Sequence, residues 1–257
     1  MTAPTLLRPR TAAELVDAAF VLLREHYADV VAAAAVFLIP ALVVQLLLPV
    51  AAWRAGEALF FIAGAAAEGA VIAVASDAYL GRPVSVRGAV RLAARRWLRL
   101  LAALITQLLV TTLGVILFIV PGLIAFARTF AMVPAVVLEG ADVGGAFRRA
   151  DRLAQDAIWR IVGTIGIASL VAALLTLTAG WTAILAARAL GIAEWRVQVA
   201  AADGCSVLTY PVVYVVSTLL YYDLRIRKEG FDLELLAQSL GPAAAAAGST
   251  APAAGEG

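Results

Sequence analysis

The chain holds one cysteine, one histidine and one lysine in 257 residues. Cys205 alone forms no disulfide within the chain and no cysteine metal cluster. His26 alone excludes a histidine-rich metal site, and it makes a Ser-His-Asp relay inside a membrane untenable. No HExxH, GxSxG, Walker loop or CxxC occurs. The reading is therefore non-enzymatic, with no cofactor and no metal. Charge is scarce as well: 15% of residues are Asp, Glu, Lys or Arg, against about 25% in a soluble domain.

What is abundant is apolar surface. The hydrophobic fraction is 63% and the mean hydropathy is +0.94, more than a soluble core of this size hides. Lipid must be the solvent for much of it. Runs of about 20 apolar residues match a hydrocarbon core of about 30 Å. Backbone facing lipid must satisfy its own hydrogen bonds, and long continuous runs, rather than alternating strands, select helices. The fold class is all-α, a polytopic bundle of about six transmembrane helices with interfacial amphipathic helices.

The expected crossings are about 30–51, 58–80, 97–119, 123–138, 158–179 and 202–222. Residues 1–28 form a cytoplasmic segment containing an amphipathic helix over 11–27, where Thr11 and Glu14 have capping-box spacing. The first apolar run is too long for a signal peptide and reads as an anchor. Residues 29–228 form the membrane domain. Residues 229–257 form a cytoplasmic tail whose Pro, Ala, Gly and Ser composition reads as disordered from about 241. Segments 85–96 and 142–156 are polar helices, the second capped by Asp142. Pro121-Gly122 reads as a tight outer turn. Residues 181–200, anchored by Trp181 and Trp195, read as an outer connection with interfacial helical pieces.

With six crossings, 16 of the 20 Lys and Arg fall on one face, three (Arg54, Arg188, Arg196) on the other, and Arg128 within a span. By the positive-inside rule both termini are cytoplasmic. The excess of Arg over Lys and the Ala richness suggest a GC-rich bacterial genome, hence a bacterial plasma (inner) membrane. DAAF (17–20), RGAV (87–90) and GGAF (144–147) each precede a helical hairpin, and WLRLL (97–101) resembles IWRIV (158–162). Either three copies of one unit are present, or basic amphipathic helices in an Ala-rich chain look alike.

Glu68 lies near the centre of the second span, about 15 Å from either end. An ionisable group there costs several kcal/mol unless paired or hydrated. Gly64, Ala65, Ala66, Ala67 and Gly69 let another helix approach. Glu68 and Arg128 are a candidate buried pair; the alternative is a protonated Glu68 with Arg128 snorkelling outward. Arg87, Arg91 and Arg95 share one helical face and are candidate anionic-lipid contacts, at about 1 kcal/mol each, though plain topology marking also explains them. Pro40, Pro134 and Pro211 interrupt three spans, as packed kinks or as transporter hinges. Gln45, Gln107, Thr111, Thr112 and Ser206 are few groups for a solute path. Asp223, Glu229, Asp232 and Glu234, interleaved with Arg225, Arg227 and Lys228, read as a solvated mixed-charge helix rather than a metal site. No fold motif or aromatic platform supports nucleic-acid binding.

Three signatures in order are LLRPRTAAELVDAAFVLLREHY, then PGLIAFARTFAMVPAVVLEG followed by GAFRRA, then YYDLRIRKEGFDLE. Over roughly residues 5–236 the chain resembles bacterial integral membrane proteins labelled as the membrane domain of glycerophosphoryl diester phosphodiesterases. The resemblance implies a helical bundle in a bacterial plasma membrane. It does not imply the enzyme, which resides in a separate soluble barrel with histidine and carboxylate metal ligands. The expected function is contact with lipids, membrane-protein partners or further copies of the chain. The alternative is a small-solute or lipid transporter or channel with Glu68 and Arg128 near its path.

Overall fold

A computed structural model describes residues 10–191 and 195–231 of the chain. These residues form helices without a strand, and six runs are long and apolar enough to cross a membrane. The protein is a polytopic helical bundle.

Helix α1 (Ala12–Leu47) starts on a capping box: Glu14 N–H donates to Thr11 Oγ1 at 3.2 Å, and Thr11 N–H to Glu14 Oε2 at 2.7 Å. His26, at φ −121° and ψ 21°, breaks the helical geometry between the amphipathic part and the apolar part. Pro40 is held inside the helix. The helix stops before Pro49, where Leu48 turns extended, as a residue ahead of proline does. A single 3-10 turn (Val50–Ala52) leads into α2 (Trp53–Tyr79). From Gly69 to Ser76 every residue of α2 is buried, so this half is the centre of the bundle.

Helix α3 (Val86–Leu117) fuses the expected basic helix with the third crossing. Ser85 caps it by accepting from Gly88 N–H at 3.1 Å. Its 32 residues span about 48 Å, well beyond the hydrocarbon core. Only 11% of its most apolar window is buried, against 56% in α2, which places α3 at the periphery. Phe118 alone links it to α4 (Ile119–Thr129). The expected turn at Pro121-Gly122 is thus displaced: both residues sit in the first turn of α4, where proline's missing N–H is no loss. Gly122 serves packing instead. A Cβ on Gly114 of α3 would lie 2.8 Å from Gly122 Cα, so the two helices meet backbone to backbone.

A short helix, α5 (Met132–Pro134), leads into a π turn (Ala135–Glu139) that ends at Gly140, φ +72°. Helix α6 (Val143–Ala154) is capped by Asp142 through Gly145 N–H. The chain turns at Asp156, φ +61°, and restarts as α7 (Ile158–Ala189). The expected interfacial connection over 181–200 is corrected here. Residues 181–189 prolong α7, and α8 (Trp195–Thr209) begins at Trp195. The sequence ILAARA contains no proline or glycine to stop a helix that is already nucleated. Residues 192–194 lie outside the described residues, as do 1–9 and the expected disordered tail. Pro211 breaks the last crossing and opens α9 (Pro211–Glu229) as its first residue.

The three expected units share one structural register. Each polar helix starts on a side chain that accepts from the N–H three residues on: Thr11, Ser85 and Asp142. The residues four and eight after each cap are buried, namely Leu15 and Ala19, Ala89 and Ala93, and Ala146 and Ala150.

Candidate functional site at the basic end of the bundle

Both ends of the described chain meet at one end of the bundle, around Asp223 of α9. Asp223 is 1% exposed. Its carboxylate accepts from Arg10 N–H at 2.7 Å, from Arg160 Nη2 of α7 at 2.7 Å and from Arg227 Nε at 2.8 Å. Arg160 and Arg227 also donate to the Arg10 carbonyl. A carboxylate this dry needs charge-assisted partners on all sides, and two helices and the N-terminal segment supply them.

A second network lies on the neighbouring face. Arg149 of α6 donates to Glu139 through Nε at 3.0 Å and Nη2 at 2.7 Å, and to Glu229 through Nη1 and, at 2.7 Å, Nη2. The hydrogen bond to Glu229, ahead of that to Glu139, raises the Arg149 pKa above its ordinary value, against an opposing effect of partial burial. Arg225 Nε donates to Glu229 at 3.2 Å, and Tyr221 hydroxyl donates to Glu139. Between the networks runs a ladder of rings. Tyr79 stacks on Tyr222 and Tyr222 on Phe231, with centroids 5.5 and 5.6 Å apart. Arg10 lies over Tyr79 and Arg225 over Phe231 at 5.6 and 4.0 Å, a cation–π contact at each end.

The expected solvated mixed-charge helix is therefore corrected at buried Asp223 and partly buried Arg225, while Arg227 and Glu229 remain exposed and still pair. These residues are the fastening between α6, α7, α9 and the N-terminal segment. Their i,i+4 spacing was visible, but an i,i+4 pair is equally at home on a wet surface. Asp232 and Glu234 lie outside the described residues. Among the described residues, no three His, Cys, Asp or Glu are grouped to hold a metal ion.

The structure does not join Glu68 to Arg128. Arg128 is exposed and its Nε reaches Asp151 Oδ1 of α6 at 3.6 Å, the snorkelling geometry of a long side chain leaving an apolar helix. Glu68 is partly buried and makes no ion pair among the described residues; its electrostatic neighbour is Tyr214 of α9. The pair fails because the structure carries the Arg128 guanidinium to α6 rather than to α2.

Arg87, Arg91 and Arg95 are all exposed and form no ion pair among the described residues. Helical geometry puts them on the same arc, about 80° wide, as Leu98, Ile105, Leu109 and Ile116, which are 41–74% exposed. The buried Ala89, Ala93, Leu100 and Ala103 lie opposite. Arg96, next in sequence, turns inward and donates to the Val136 and Val137 carbonyls at 2.8 Å each, which the end of the π turn leaves without helical partners. Three arginines thus stand directly below the apolar stripe of the same helix, while a fourth is structural.

The opposite end of the bundle holds contacts for which no motif offered a signal. Arg196 of α8 caps the carbonyls of Leu46 and Leu48 and covers Trp53 at 5.6 Å. Trp53 meets Trp195 edge to face at 5.0 Å. Gln45, fully buried, donates to Asp203 at 3.2 Å. At the basic end, an open cavity of about 440 Å3 lies beside α1, lined by Arg10, Asp17, Val21, Glu25, His26 and Tyr79 among others.

No protein-family model, no curated protein and no solved structure matches the chain.

Proposed function

We propose that this is a non-enzymatic protein of a bacterial plasma membrane, with both termini cytoplasmic, that acts through contacts with anionic lipids and membrane neighbours at its basic end. One observation carries the reading. The arginine ridge of α3 continues the apolar stripe of the same helix, and its three arginines are exposed and form no ion pair among the described residues. Any bilayer that covers Leu98 to Ile116 brings its phosphates to the arginines below. The meeting of Arg10 with Asp223 and Arg227 supports a shared side for the termini, and the sorting of arginines supports the cytoplasmic one.

At about 1 kcal/mol for each arginine near an anionic surface, the ridge contributes on the order of 100-fold in lipid affinity. The test is native mass spectrometry of purified protein supplied with phosphatidylglycerol and phosphatidylcholine. The wild type is expected to retain phosphatidylglycerol preferentially. The variant Arg87→Gln/Arg91→Gln/Arg95→Gln is expected to lose that preference while melting at the same temperature. Equal retention of both lipids by the wild type removes the reading.

A further inference from the structure

At two of the positions where the second unit of the repeat carries arginine, the first carries a carboxylate. In α3, Arg91, Arg95 and Arg99 stand 6, 10 and 14 residues after the Ser85 cap. In α1, Asp17, Val21 and Glu25 stand 6, 10 and 14 residues after the Thr11 cap. All six are exposed. The two helices bury the same positions, Leu15 and Ala19 in one, Ala89 and Ala93 in the other, so the two sets project from equivalent points along equivalent helices. The spacing agrees as well: 17 to 25 and 91 to 99 are each eight residues, about 12 Å along a helix.

We infer that a second copy of this chain docks on the basic face of α3 through the acidic face of its α1, with Arg91 against Asp17 and Arg99 against Glu25. Thr11 and Ser85 both lie beside the end of α2, with Arg10 over Tyr79, so in two copies that share one membrane and one orientation the capped starts of α1 and α3 meet at the same end of the bundle. Within one chain the two faces do not pair: both are exposed, and no ion pair joins them among the described residues. The cavity beside α1 has Asp17, Val21 and Glu25 on its wall and gives the long arginine side chains of a neighbour room to enter. Arg24 flanks the acidic face and Arg10 lines the same cavity; Glu14, Asp17 and Glu25 outnumber them. The contact is heterologous, since different faces of the two copies meet. Exposed ion pairs are individually weak; confinement to one bilayer raises the effective concentration at which they act. The inference goes beyond the lipid reading and shares Arg91 with it: phosphates cover the ridge wherever no neighbour does.

The experiment is energy transfer between donor- and acceptor-labelled full-length protein in phosphatidylcholine vesicles, followed as lipid dilutes the protein. Wild-type molecules are expected to associate. Asp17→Arg/Glu25→Arg removes the acidic face from every copy, and Arg91→Glu/Arg99→Glu removes the basic one; each reversal alone is expected to weaken association at least tenfold. Combining the two reversals in one chain is expected to restore it, which a folding defect does not do. Added phosphatidylglycerol is expected to compete. Unchanged association in either reversal, or no restoration in the combined variant, overturns the inference. If the basic reversal abolishes phosphatidylglycerol retention yet leaves association intact, the inference fails and the lipid reading stands.

Discussion

Arg160 and Asp223 lie 63 residues apart in sequence and 2.7 Å apart in space. The contact fastens the start of α7 to α9, and the Arg10 backbone closes over both. It is the anchor of the basic end. Replacing Asp223 with Asn leaves Arg160 and Arg227 facing each other without a counter-charge. Removing one member of a buried pair costs about 3–5 kcal/mol. The arginines here keep 24% and 37% of their side-chain surface, so the lower part of that range is expected. Thermal unfolding in detergent is the measure, and a melting temperature within error of wild type would show that the hub is dispensable.

Arg149 binds two carboxylates through three nitrogens. Lysine keeps the charge and loses the fork. Arg149→Lys is therefore expected to destabilise by about 1–2 kcal/mol, less than Arg149→Met, which also leaves Arg225 as the one cation shared by Glu139 and Glu229 among the described residues. Equal melting of the lysine variant and wild type would reduce the network to simple charge balance.

Gly114 in the α3–α4 hairpin and Gly163 in α7 face opposite demands. A methyl at Gly114 meets the Gly122 backbone at 2.8 Å, whereas one at Gly163 of α7 meets nothing within 4 Å. Gly114→Ala is expected to cost about 1–3 kcal/mol by forcing the helices apart. Gly163→Ala is expected to be neutral or to stabilise by up to about 1 kcal/mol through helix propensity. A ranking in the other order, by thermal melting, contradicts the close approach.

Glu68 and Arg128 are expected to behave independently. In a double-mutant cycle with Glu68→Gln and Arg128→Gln, the coupling should stay below about 0.5 kcal/mol, because Arg128 faces Asp151 instead. A larger coupling would reinstate the pair. The single variant Glu68→Gln also separates the two functional readings. Its abundance and melting should match wild type, and loss of a measured solute flux at intact abundance would favour a transporter.

Much of the architecture was legible because its causes are local. The caps Thr11 and Asp142 were visible since an N-cap acts on an N–H three residues away. The fusion of 85–96 with the third crossing was not: Arg-rich and Leu-rich segments differ in polarity but not in helix propensity, so composition marked a boundary that the backbone ignores. The same error placed an interfacial connection over 181–200. Arg87, Arg91 and Arg95 were legible as a face from spacing alone. The same spacing sets Arg96 about 140° round the helix from the middle of that face, but only the position of the π turn assigns it a structural task.

The sequence alone determined that this protein is a helical membrane bundle, that its crossings are about six, and that its arginines collect at one end. These follow from hydrocarbon thickness, from the 1.5 Å rise of a helix and from the energy of charge in lipid, each set by residues within one turn or one span. The tertiary structure decided which charges are partners: Asp223 with Arg160 and Arg227, Arg149 with Glu139 and Glu229, Arg128 with Asp151 rather than Glu68. An ion pair depends on where whole helices pack. That packing depends on contacts distributed along the bundle, such as Gly114 against Gly122, and not on the sequence spacing of the charged residues.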